Sequence, residues 1–401
     1  MDGEGTKAEG ATKIVEPPIT VPNPRNIQPT VAQTQSNMFK ILETFDTKLS
    51  ADSVEWCTIE GFRDHFVCGT YQLLNREQQS ESLANNTQKR QGTIYLFQVV
   101  TPGKLHLLQE INVPGVLDMK WAHVLYEGHV LLGVVNSIGY LQLWQLTEKS
   151  QMNLLVETKI RCVDDEYLAL SLDWSTGRSC WNQSTEARIT ISDSKGFITV
   201  YSISQEKLHC LGSQLAHQFE AWITSFNYWD TNVIYSGGDD CKFKWFDTRT
   251  GLKSVGSNAV HTAGVTSLHS NVGKEYLLAS GSYDEVLRLW DTRHLRKAIS
   301  ETNMSGGIWR LKWDPFYHKY LFAACMYGHF KIIDCQHNDN PKILEQLKEH
   351  ESIAYGCDWS SLSKVQVKQK IDSDNYEDDA MLVATCSFYD HTLKLSALTI
   401  N

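Results

Sequence analysis

The stretch "YSGGDDCKFKWFDTR", Tyr235 to Arg249, sets two carboxylates, Asp239 and Asp240, directly behind two glycines. His217 and Ser236 stand just upstream. Paired carboxylates can share acid–base work, and a His beside a Ser and an Asp can activate a nucleophile. Acids near a cysteine can also hold a metal, and acids behind glycines can form a turn between strands. The sequence narrows these options. It has no G-x-S-x-G elbow and no H-E-x-x-H pair, and Gly237-Gly238 lacks the helix and lysine of a phosphate loop. The ten cysteines include no C-x-x-C pair, so a metal centre has little support, and none is expected. Most of them sit in apolar runs such as "LFAACMY", as reduced thiols of a cytoplasmic protein would.

The elements that must position these residues are strands. Short alternating apolar runs are broken by Gly, Asp, Asn and Ser, and long helical periodicity is absent. Residues 1–37 read as a disordered N-terminal tail rich in Pro, Thr and Gln. Polar inserts stand near 75–91, 176–187 and 364–379. The opening residues lack the apolar core of a signal peptide, and no apolar run nears the ~20 residues of a membrane span. A net charge of −10 disfavours phosphate backbones and hence nucleic acid.

Two segments align without a gap, one beginning at His217 and one at His261. They match His217 to His261, Ser236 to Ser280, Asp240 to Asp284, and Asp247-Thr248-Arg249 to Asp291-Thr292-Arg293. This resembles the WD40 repeat, with a period of about 40–45 residues and four strands per propeller blade. The frame recurs in seven units, with first inner-strand positions Ala51, Val116, Ala169, Ala221, Val265, Ile308 and Ala354. The column five residues on reads Trp56, Trp121, Trp174, Phe226, Ser270, Trp313 and Trp359. The expected fold is all-β: one seven-bladed WD40 β-propeller over 38–401. The last unit lacks a fourth strand, and the segment 38–47 is expected to supply it and close the ring.

In WD40 repeats a His, a Ser/Thr, an Asp and a Trp commonly form one buried network in a blade. By that resemblance, His261, Ser280, Asp284 and Trp290 form a full set. His217, Ser236 and Asp240 form another, with Phe246 in the tryptophan column, and His350, Thr385 and Asp390 a third. These are therefore read as scaffold. Partner-facing columns flank the first inner-strand residue and precede the turn Asp. They give Asp52, Tyr71, Glu220, Trp222, Asp239, Tyr283, Trp309, Tyr355 and Tyr389. Aromatic faces with carboxylates suit a cation, above all a quaternary ammonium, and such a surface also suits an ordinary protein partner.

Further stretches are more specific: "SADSVEWC" (50–57), "CGTYQL" (68–73), "LALSLDWSTG" (168–177), "AHQFEAWI" (216–223), "YSGGDD" (235–240), "GSYDE" (281–285) and "ATCSFYDH" (384–391). Together they resemble the WD-repeat diphthine methyl ester hydrolases of diphthamide synthesis, also called diphthine methyltransferases. The resemblance implies hydrolysis of a methyl ester on a modified histidine of elongation factor 2, a substrate that carries a trimethylammonium group. Elongation factor 2 is then the expected partner, with other enzymes of the pathway as further candidates, and no cofactor is expected. Trp222, Tyr283, Trp309, Tyr355 and Tyr389 would hold the cation, with Asp52 and Tyr71 beside them. Asp239 or Glu220 would neutralise it or orient water. His391 is a candidate base, since imidazole changes charge near neutral pH. The competing expectation is a non-catalytic scaffold that presents elongation factor 2 to another enzyme.

Overall fold

A computed structural model describes residues 38–74, 89–161, 166–178, 187–371 and 379–400. The expected tail and most of the first two inserts lie outside these residues. Seven antiparallel sheets follow one another along the chain. Their innermost strands are Ala51–Trp56, Val116–Trp121, Ala169–Trp174, Ile223–Phe226, Val265–Ser270, Arg310–Trp313 and Ala354–Trp359. Each packs against the inner strands of both neighbouring blades, and the seventh packs against the first, so the ring is closed. The outermost strand of blade seven is Phe39–Asp46, which pairs antiparallel with Thr392–Leu398. The fold is thus the seven-bladed propeller closed by an N-terminal strand. One part of the third insert differs from the expected irregular polar stretch: Lys364–Lys370 is a helix. Ser363 caps it and Gln366 returns the bond, a capping box whose signal is only four residues long.

The inner-strand tryptophans join blades together. Each inner strand is the free edge of its sheet, so half its backbone polar groups face the axis and need partners. The indoles of Trp121, Trp174, Trp313 and Trp359 donate to the carbonyls of Glu55, Lys120, His269 and Lys312 in the preceding blade, at 2.8–3.0 Å. Side chains supply acceptors as well. Asp118, Asp173 and Asp358 take the N–H groups of Leu172, Phe226 and Trp56 in the next blade at 3.1, 2.8 and 2.8 Å.

The expected His–Asp networks form, with two changes. His217 meets Asp240 at 2.7 Å and Ser236 at 3.0 Å. In blade five, Arg288 joins the pair, 2.9 Å from His261 and 2.8 Å from Asp284, which themselves lie 3.3 Å apart, while Ser280 takes the Trp290 indole N–H at 2.8 Å. In blade seven, His350 reaches Asp390 only through the Ser387 hydroxyl, at 2.5 Å on each side. These groups are committed to the scaffold. Phe246, buried in the tryptophan column, makes no such bond, and the neighbouring Trp245 lies against Gly256, where a β-carbon would collide with its ring.

Candidate functional site: an aromatic mouth over a charged axis

A recurring backbone irregularity aims residues into the mouth of the ring. Pairing between first and second strands slips by one residue at Asp52, Leu117, Leu170, Thr266 and Tyr355, the same position in five blades. Such β-bulges re-aim a side chain and cluster beside functional sites. In blades four and six the strand starts later, and Trp222 and Trp309 hold the same position just before it. One layer of the mouth therefore contains Asp52, Trp222, Thr266, Trp309 and Tyr355.

The aromatic members touch in a continuous arc. Trp309 stacks on Tyr355 with ring centres 4.6 Å apart and planes 29° apart. On its other side it meets Trp222 at 5.9 Å and Tyr283 at 6.0 Å. Tyr355 continues to Phe388 (4.9 Å), and Phe388 to Tyr389 (5.1 Å) and Tyr71 (6.0 Å). Asp239 is exposed and accepts the Trp222 indole N–H at 3.0 Å, which fixes one end of the arc. Arg90 donates to the Tyr71 hydroxyl at 2.9 Å at the other end. Phe388 was not among the expected residues. Its signal was an aromatic at a position where blades four and five carry Gly238 and Ser282.

Three expected residues stand differently. Asp52 is not an exposed rim acid: it is only 3% exposed. Glu220 is half-buried and meets Asp239 through its backbone carbonyl, which accepts the Asp239 N–H at 2.8 Å. His391 fills the left-handed turn position (φ 54°) that Cys241 and Glu285 fill in blades four and five. Its carbonyl accepts from the Thr47 N–H and hydroxyl at 2.8 and 3.0 Å. Among the described residues its ring joins no contact of the arc. Sequence spacing cannot separate a turn residue that faces the mouth from one that faces the neighbouring strand.

Below the mouth the axis is filled with charge. Lys312 binds both oxygens of Glu55 at 2.6 and 2.7 Å and lies 3.7 Å from Asp358. Lys120 and Arg310 flank Asp118 at 2.8 and 3.2 Å. Burial pushes Glu55 up to about 7 although Lys312 opposes it, and burial carries Asp173 up to about 6. Burial also disfavours a charged Lys312, yet Asp358 and Glu55 hold it above its ordinary value. Burial with Lys312 and Lys120 beside it keeps the His269 ring well below the usual imidazole range. A cavity of about 20 Å³ among Lys120, Asp173, Tyr228, His269, Arg310 and Lys312 has room for about one water. Among the described residues no group of His, Cys, Asp or Glu is arranged to hold a metal. No helix there is long and apolar enough to cross a membrane.

Comparison with known proteins gives the family. The WD40 family ("WD domain, G-beta repeat") matches residues 252–291. A chain in a structure described as "Crystal Structure of Mitotic Checkpoint Complex" superposes with a TM-score of 0.64 at 14% identity, over 97% of this chain and all of that one, which speaks for the fold alone. Diphthine methyltransferase of Mus musculus is 40% identical over 342 residues, covering 83% of this chain and 72% of that protein. The chain belongs to the diphthine methyltransferase family. The Homo sapiens diphthine methyltransferase is 39% identical over 80% of this chain and 75% of its own length. A Dictyostelium discoideum diphthine methyltransferase homolog is 34% identical over 86% and 96%. In this diphthine methyltransferase family member, exposed apolar side chains stand on loops at the same end as the mouth: Ile138, Phe219, Tyr327 and Tyr389.

Proposed function

We propose that this member of the diphthine methyltransferase family acts in diphthamide synthesis as a methyl ester hydrolase on elongation factor 2. It would convert the methyl ester of diphthine to the free carboxylate and methanol. The observation that carries the reading is the arc Trp222–Tyr283–Trp309–Tyr355–Phe388, with Asp239 at one end. Aromatic faces attract a quaternary ammonium, which cannot donate hydrogen bonds and so needs none in return. The Asp239 carboxylate at the rim adds a Coulomb attraction of its own.

In this reading Trp222, Tyr283, Trp309 and Tyr355 hold the trimethylammonium group, with Tyr71 and Tyr389 at the edge. Asp239 fixes Trp222 and contributes charge, and Glu220 lies in the segment to which Asp239 is bonded. His391 is the remaining candidate, available to a substrate that reaches the turn. The exposed Ile138, Phe219 and Tyr327 would meet the body of the protein substrate. The exposed apolar face also suits a scaffold that only binds elongation factor 2.

Purified protein incubated with elongation factor 2 bearing methylated diphthine decides between them. Release of methanol, with loss of one CH₂ from the factor by mass, is the expected result. Binding of the factor without turnover would leave only the scaffold.

A further inference from the structure

Among the described residues, Asp52 is the axial acid that neither accepts a backbone N–H nor lies within ion-pair distance of a basic side chain. Asp118, Asp173 and Asp358 each accept a backbone N–H of the neighbouring blade, and Glu55 is held by Lys312. Asp52 is as buried as these, yet its Oδ2 has no hydrogen-bond partner. A buried carboxylate oxygen left without a hydrogen bond opposes folding, so its presence calls for a purpose outside the scaffold. The bulge at Asp52 places it in the layer of Trp309 and Tyr355. A second unpaired buried polar atom, Trp309 Nε1, lies in the same layer. One step further along the inner strand of blade six is Arg310, buried, with one guanidinium nitrogen 3.2 Å from Asp118 Oδ1. Arg310 is the positive group that acts most strongly on Asp52, against Asp118. Tyr283, Tyr355 and Cys386 also feel the charge of Asp52.

We propose that Asp52 and Arg310 are the hydrolytic pair at the floor of the aromatic mouth, Asp52 as general base and Arg310 as oxyanion holder. This rests on the ester-hydrolase reading. Asp52 takes a proton from a water whose oxygen bonds to the ester carbonyl carbon. The carbonyl π pair moves onto its oxygen, which faces Arg310. On collapse the bond from carbon to the methoxy oxygen breaks, and that oxygen takes the proton from Asp52 and leaves as methanol. The carboxylic acid product then loses its own proton to solvent. A base suited to this step titrates near the working pH, and burial moves the Asp52 carboxyl upward in that direction. The site is therefore two-ended: aromatic for the ammonium, cationic for the carboxyl group next to it.

Asp52→Asn tests the assignment, because it removes the charge and the basicity of the carboxylate without changing its shape. The variant is expected to fold with a melting temperature equal to or above that of the wild type. It should bind tetramethylammonium within about threefold of the wild type and lose roughly 10²–10⁴-fold in kcat. The acid limb of the pH profile of kcat should vanish, and Asp52→Glu should restore part of the rate. Single turnover in H₂¹⁸O should label the product carboxylate and leave the Asp52 peptide unlabelled. Turnover of Asp52→Asn within tenfold of the wild type overturns the proposal. So does weakened tetramethylammonium binding with kcat intact, which would make Asp52 a counter-ion, and so does label on Asp52, which would make it a covalent nucleophile. Wild-type protein that binds the methylated factor but never releases methanol refutes the hydrolase reading itself, a result separate from any Asp52 variant.

Discussion

Trp309 is the centre of the arc, and its removal gives the most direct test of cation binding. It stacks on Tyr355 at 4.6 Å and meets Trp222 and Tyr283 edge-on or tilted at 5.9 and 6.0 Å. Trp309→Ala deletes one aromatic face toward the ligand and leaves three neighbouring rings without their common contact. A cation–π contact in a desolvated site contributes about 2 kcal/mol, and each 1.4 kcal/mol is about tenfold in affinity. Tetramethylammonium affinity should therefore fall about 30-fold, or further as the loosened rings splay. Trp309→Phe keeps a face with a weaker quadrupole and should lose only about fivefold. Isothermal titration measures both, with the neutral 3,3-dimethylbutyl isostere as control. Wild-type protein should prefer the cation over the isostere by about tenfold or more, and Trp309→Ala should erase that preference. Equal wild-type affinity for the two ligands would refute the electrostatic argument. A loss below about threefold in Trp309→Ala would show that the rings pack the mouth without serving a ligand.

Three further outcomes follow from the scaffold. Lys312→Met leaves Glu55 and Asp358 buried without their cation and should cost about 3–5 kcal/mol in urea unfolding at pH 8. Glu55 already has a folded pKa raised to about 7 from 4.5, so its charge opposes folding as pH rises through that window. At pH 5.5 it is protonated and the cost of the substitution should shrink; an equal cost at both pH values would count against the network. Asp240→Asn should destabilise by about 1–3 kcal/mol by freeing the buried His217, and Asp239→Asn by under about 0.5 kcal/mol, while only the second weakens tetramethylammonium binding. Deleting residues 38–46 exposes the edge of Thr392–Leu398 and the face that Phe39 covers; the product should elute as oligomers in size-exclusion chromatography and return to monomer when the strand is added as a peptide.

Much of the propeller was legible because its signals are local. Strand alternation recurs in every unit, and the turn acids and the His and Trp columns recur in several, so the frame and the closing strand could be read from the sequence. The aromatic columns Trp222, Tyr283, Trp309 and Tyr355 came from the same frame, and the structure brings them together. What was not legible depends on neighbours across the ring. Asp52 read as exposed because its surroundings come from across the ring: its bulge sets it in the layer of Tyr355 in blade seven and Trp309 in blade six, more than 250 residues away in sequence. The bulge that aims it belongs to strand pairing and leaves no residue signature. Arg288 entered a His–Asp pair from the third strand, where a long basic side chain reads as solvated. The helix Lys364–Lys370 is too short and too polar to show a period.

Ring closure has a consequence for when this mouth can exist. Blade seven is completed by Phe39–Asp46 clasping Thr392–Leu398, segments roughly 360 residues apart, and bringing such distant ends together costs on the order of 5 kcal/mol of chain entropy before any contact compensates it. The arc crosses that seam. Tyr71 and Asp52 come from blade one, and Tyr355, Phe388 and Tyr389 from blade seven. A nascent chain still on the ribosome can stack its first six blades and still have neither the Trp309–Tyr355 stack nor the buried setting of Asp52. A ligand site in the mouth thus waits for the seventh blade, and a ligand that bridges the seam would act as a clasp on the closed ring.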